Sequence, residues 1–334
     1  NLFLTALDES LPVLRFHDLF LDFLRIRLER LQPDLVPELH ARAAAAEQVP
    51  LRAVNHWLKA QQWDPAVAAI SACLEPLLAE GSVALVARWI AQLPAAVSAR
   101  PEVARLQALC AWAGWDFQLA AEHLEAACAG FQAKGNESEF VRHFTLLPRA
   151  YNAVGRLLDA ELALNRIEDM TLESISRVSC LGARAWQELA MGRPARVASC
   201  LADIAIAAEQ EPALLSPALD DAFNSFMFGL PGVQRPMQRL RALCQAQLDK
   251  PGTSWQIAAF AHATWLDFWH GDRARLQAAV QAQTRLQQRL SVVPALRLNA
   301  RQAEAWEAAA AGDMERALVF ERRALQALDD LGVP

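Results

Sequence analysis

Two groups of side chains in this chain have types and spacings suited to chemistry or recognition. In FVRHFTLLPRAYNAVG, Arg142, His143, Arg149, Tyr151 and Asn152 place polar groups near one helix, and an arginine there could hold an anionic ligand. In AFNSFMFGL and WQIAAFAHATWLDFWHG, Phe223, Phe226, Phe228, Trp255, Phe260, Trp265, Phe268 and Trp269 concentrate aromatic surface on the first helices of two adjacent repeats. His262 lies seven residues after Trp255 and seven before Trp269, so the three share one helical face. Aromatic walls with a few polar groups suit a small-molecule pocket. The candidate ligand-binding residues are therefore Arg142, Arg149, Tyr151, Phe226, Trp255, His262, Trp265 and Trp269. Each group also has a plainer explanation: aromatic stripes fill gaps between stacked helices, and polar helical residues face water.

The sequence carries no recognisable catalytic motif. In RFHDLF, His17 and Asp18 look like a base and its orienter, but sequence neighbours point apart in a strand and by about 100° in a helix. Asp18 is expected to cap a helix, with Phe16, Leu19, Phe20 and Phe23 packing beneath it. The seven histidines form no HExxH motif or His/Cys cluster, and no serine sits in a GxSxG elbow. The carboxylate pairs Asp220-Asp221 and Asp329-Asp330 fall at helix edges, where solvated surface accounts for them. No catalytic residue and no metal site is expected.

These residues must be positioned by helices. Hydrophobic residues make up 54% of the 334, yet aromatics are only 7%, and alanine and leucine carry the balance. The chain is long enough for two domains or one extended array. Its 32 Lys+Arg against 38 Asp+Glu leave a net charge of -6, without the basic excess that non-specific DNA binding needs. Apolar segments such as Ile257 to Trp269 are interrupted well short of the ~20 residues of a membrane span. Six cysteines with no CxxC pair, mostly in helical apolar phase, suggest buried free thiols in a reducing cytoplasm. The start at Asn1, inside an apolar run, suggests a piece of a longer protein.

A repeat organises the helices. The successive differences in number between Gly114, Gly155, Gly192, Gly232, Gly271 and Gly312 cluster around forty. Positions five, eight and twelve after each glycine are apolar in all but two of eighteen cases, Glu122 and Gln283 being the exceptions. That is the stripe of an amphipathic helix starting just after each glycine. The expectation is an all-α, tetratricopeptide-like superhelix of helical hairpins with a period near forty and a concave face. Residues 101–334 would form the array, and 35–100 would be linking hairpins with a turn around Gln62-Trp63. Residues 1–34 read as a short β-hairpin followed by a helix from Asp18 to about Leu31, stopped by Gln32-Pro33.

Five segments, taken in order, resemble a known family. They are NLFLTALDE, LRFHDLFLDFLRIRLER, LVPELHARAAA, VNHWLKAQQWDPAVAAI and RWIAQLPAAVSARPEVARLQALCAWAGWDFQLAAEHLEAA. Together they are similar to the central part of MalT-like, LuxR-type ATP-dependent transcriptional activators, over the stretch from Asn1 to about Gly130. The resemblance implies that residues 1–34 end a winged-helix domain and that the remainder is a sensor region. It also implies ATP as a cofactor of the parent protein. No GxxxxGK(S/T) loop occurs in these residues, so ATP is not expected to bind here, and DNA would be held only by a helix-turn-helix outside them.

The expected function follows. The chain is read as a non-catalytic, cytoplasmic sensor that binds a small-molecule inducer or a regulatory protein and relays its state to ATPase and DNA-binding domains, with self-association as a further role. The alternative is an interaction scaffold whose concave groove binds a partner peptide or helix. No membrane contact is expected.

Overall fold

The structure is a computed structural model that describes residues 4–6, 14–79, 82–114, 116–214, 229–247, 264–269, 271–289 and 294–329. The fold class is all-α, and the helices fall into two compact units.

The first unit comprises residues 1–74 and 91–97. Strands β1 (Leu4–Ala6) and β2 (Leu14–Phe16) pair antiparallel, with Thr5 opposite Arg15. Helix α1 (Asp18–Leu31) follows, ended by Pro33 as its sequence requires. His17 and not Asp18 occupies the N-cap position, and the His17 side chain makes no capping hydrogen bond. Leu19 is 76% and Phe23 53% exposed, Phe20 is half-buried and stacks on Phe23 with ring centroids 6.4 Å apart, and the side chain of Phe16 lies outside the described residues. Helices α2 (Leu35–Ala46) and α3 (Pro50–Lys59) form a hairpin, and α4 (Trp63–Ala79) begins at the turn foreseen around Gln62. The short α6 (Ala95–Ser98) completes this unit, following α5 (Val83–Ile90), which belongs to the second.

In the second unit helices pack in chain order. Hairpins are formed by α7 (Pro101–Ala113) with α8 (Phe117–Ala133), by α9 (Glu137–Phe144) and α10 (Leu147–Ala153) with α11 (Leu157–Glu168), and by α12 (Ser174–Ala190) with α13 (Pro194–Gln210). Helix α14 (Gln234–Gln247) packs on α13. Residues 264–269 are helical, and α15 (Arg273–Arg289) comes after them across the Gly271 turn. The last hairpin joins α16 (Pro294–Ala310) to α17 (Met314–Asp329). Each hairpin also contacts the next, α8 against α9 and α10, α10 and α11 against α12, and α15 against α16. This is the organisation of an α-α solenoid, in which neighbours supply the cover that one hairpin lacks.

The glycine period has a defined backbone cause. Gly155, Gly192, Gly271 and Gly312 have φ of 70–84°, and the next residue's N–H returns to a carbonyl five positions back, as in Arg193 to Glu188 at 2.8 Å. That is a Schellman ending, for which glycine avoids the Cβ clash of left-handed backbone. At the first hairpin the bond is made by Asp116 to Ala111, one residue later, and Gly114 itself has φ -84°. The helical phase shifts with it. Leu119 is 39% exposed while Ala120 and Leu124 are buried, which accounts for Glu122 falling outside the apolar stripe. Gln283 is a true exception, since it is fully buried.

Candidate functional site

The polar group around Arg149 is built where a first helix is broken. Pro148 has no N–H to donate to Phe144, so α9 stops and α10 starts after Thr145 and Leu146, with the Thr145 hydroxyl donating to the Arg142 carbonyl at 2.9 Å. The single helix expected for these residues is thus two, with Arg142 on α9 and Arg149, Tyr151 and Asn152 on α10.

Arg142 is exposed and pairs with Glu139 of its own helix at 3.2 Å. His143 is buried, stacks on Phe131 with ring centroids 5.2 Å apart, and its Nδ1 meets the Glu139 carbonyl at 2.6 Å. Burial is the largest influence on the imidazole and holds its pKa below the ordinary histidine value, although the Glu139 carbonyl and carboxylate act the other way.

The α10 side chains reach into both neighbouring hairpins. The Arg149 guanidinium lies 4.6 Å over the Trp112 ring of α7. The Tyr151 hydroxyl donates to Glu125 Oε1 of α8 at 3.0 Å, and Arg156 Nη1 donates to the same oxygen at 2.8 Å. Arg156 also stacks 4.3 Å over the Tyr151 ring and donates from Nε to Asp159 at 2.7 Å. Burial, then Glu125, pushes the Tyr151 pKa far up, so the phenol keeps its proton and acts as a donor. In the other direction Asn152 Nδ2 donates to the Ala183 carbonyl of α12 at 2.9 Å. Arg149 and Tyr151, two of the candidate ligand contacts, thus tie α10 to the preceding hairpin by stacking and a charge-assisted bond, and Asn152 ties it to the following one.

The aromatic group is assembled from consecutive first helices. Trp265 meets Trp306 of α16 with centroids 4.4 Å apart, and Trp269 edge-on at 5.6 Å and 79°. Phe268 lies 5.7 Å from Trp269 and 6.2 Å from Trp306. Beneath them Leu276, Val280 and Ala303 form a buried cluster against which Phe268 packs. Trp269 remains 62% exposed, giving the group one open indole face. Phe226, Trp255 and His262 lie outside the described residues.

Trp306 was not foreseen, although its position carried a signal. Trp186, Trp265 and Trp306 each stand six residues before their glycine, and so does Arg149. Equivalent positions on stacked first helices form a column, and Trp186 in that column is 37% exposed.

No family model, no curated protein and no solved structure matches the chain.

The chemistry available is therefore read from the geometry. Among the described residues no three His, Cys, Asp or Glu side chains come together as a metal site. Cys73, Cys110, Cys128, Cys180 and Cys200 are buried and unbridged. Burial pushes the thiols of Cys110 and Cys200 up to about 11 and that of Cys128 to about 12, which keeps them protonated and poor nucleophiles. No described helix is long and apolar enough to cross a membrane. An open indole face flanked by three further rings suits the flat or apolar face of a ligand.

Proposed function

We propose that the chain is the signal-sensing region of a MalT-like, LuxR-type transcriptional regulator, which binds a small-molecule inducer on the aromatic face of its last two hairpins. The observation that carries this reading is the Trp265, Phe268, Trp269 and Trp306 group, because Trp269 leaves an indole exposed where core packing alone would bury it. The ordered resemblance from Asn1 to about Gly130 and the solenoid of hairpins support the regulatory setting.

In this reading the ligand changes function through differential affinity for two arrangements of the array. The chain lacks a phosphate-binding loop of the GxxxxGK(S/T) type, so ATP and DNA would be held by other parts of such a regulator. Determining the gene sequence on both sides of these residues tests the family, with a phosphate loop upstream and a helix-turn-helix downstream as the expected result. Binding is tested by thermal-shift screening of the chain against sugars, nucleotides and amino acids. The reading expects hits that Trp269→Ala weakens by about tenfold or more; hits unaffected by that change would move the site elsewhere.

A further inference from the structure

The α2–α3 hairpin contains a contact that the sensing role does not use. His40 of α2 and His56 of α3 bring their Nδ1 atoms to 2.8 Å, with ring centroids 5.1 Å apart and planes at 43°. Two ring nitrogens at that separation cannot both carry protons. One donates and the other must accept through its lone pair.

We propose that His40 and His56 form a proton-operated clamp between α2 and α3, closed while at least one imidazole is neutral and released when both are protonated. With no excess proton the bond is neutral, and with one it is charge-assisted, so the first protonation leaves it in place. The second removes the only acceptor and sets two cations in contact. The step is a proton transfer from solvent and needs no other reactant.

The surroundings favour release. The groups facing His40 are His56 and Lys59 from α3 and Arg25 and Glu29 from α1, and only Glu29 favours the charged form. Burial is the largest influence on His40, followed by these cations, and together they hold its pKa below 6.5. A depressed folded-state pKa stabilises the fold above the unfolded value and loses that stabilisation as pH falls through the folded one. The clamp is therefore closed at neutral pH and opens on acidification. The two helices stay joined through the short connection from Glu47 to Val49.

The test is nitrogen NMR of the histidine rings in the whole chain, titrated from about pH 7.5 to about pH 5, with amide exchange of α2 and α3 followed in parallel. The expected result is one protonated and one bare Nδ1 at the upper pH, two separated protonation steps, and amide protection of both helices, taken relative to the intrinsic exchange rate at each pH, lower by about tenfold after the second. In His40→Phe/His56→Phe the protection of these helices should lose its pH dependence. Two independent single-site titrations, or wild-type protection unchanged across the second step, would overturn the proposal, and neither readout depends on the variant folding.

Discussion

Arg241 of α14 meets Asp267 of the 264–269 helix in a two-point contact, Nε to Oδ1 at 2.9 Å and Nη2 to Oδ2 at 2.7 Å. Their side chains are only 14% and 4% exposed, and the pair joins successive hairpins. Removing one partner leaves a buried charge uncompensated. Asp267→Ala or Arg241→Ala should lower unfolding stability by about 3–5 kcal/mol, while Arg241→Met/Asp267→Leu should recover most of that loss. Urea denaturation of the three variants gives the cycle directly.

Gln61 adopts φ 55° at the end of α3, with Gln62 N–H bonded to the Trp57 carbonyl at 3.1 Å. This is the ending that glycine makes elsewhere in the chain, here carried by a residue with a Cβ. Gln61→Gly should raise stability by about 0.5–1 kcal/mol, the left-handed strain relieved less the entropy glycine adds to the unfolded state. Gly312→Ala should lower it by about 1 kcal/mol although nothing lies within 4 Å of the new Cβ, since φ is 84°. Thermal melts of both variants separate backbone conformation from packing.

Gly130 of α8 faces Pro101 of α7. A Cβ there would lie 2.7 Å from Pro101 Cβ, in a ring that cannot swing away. Alanine would gain about 1 kcal/mol of helix propensity, but overpacking of this kind costs about 1–3 kcal/mol. Gly130→Ala should therefore be neutral to destabilising, and Gly130→Val clearly destabilising, by chemical denaturation.

Burial holds the His143 pKa below that of the unfolded chain. The stabilisation it confers is complete above about pH 6.5 and declines as pH falls through the lower folded value. The melting temperature should fall on acidification below about pH 6.5, and His143→Gln should flatten that dependence while costing stability at neutral pH. A His143→Gln profile parallel to wild type would place the titrating group elsewhere.

The legible part of this fold is its period, because left-handed turn positions admit few residues besides glycine. Gly155, Gly192, Gly271 and Gly312 could therefore be read directly as hairpin turns. Gly135, with φ 66°, escaped the reading because it ends α8 between hairpins and falls off the regular glycine spacing. The one-residue offset at Gly114 was visible only as a charged Glu122 in an apolar slot.

The candidate sites were legible in composition but not in partnership. Tyr151 and Asn152 read as polar groups near one helix, yet their partners, Glu125 and the Ala183 carbonyl, belong to the preceding and following hairpins, and no local pattern encodes such contacts. Trp306 pairs with Trp265 one full repeat earlier in the chain. Reading columns across repeats, and not stripes along one helix, would have placed them together.

The most direct test of the account is fluorine NMR of the chain labelled with fluorotryptophan, its resonances assigned by single replacements and followed during addition of small metabolites. The account predicts that a binding metabolite shifts the Trp265, Trp269 and Trp306 signals together and that Trp269→Ala abolishes the response. Binding that leaves those three signals unmoved would contradict it.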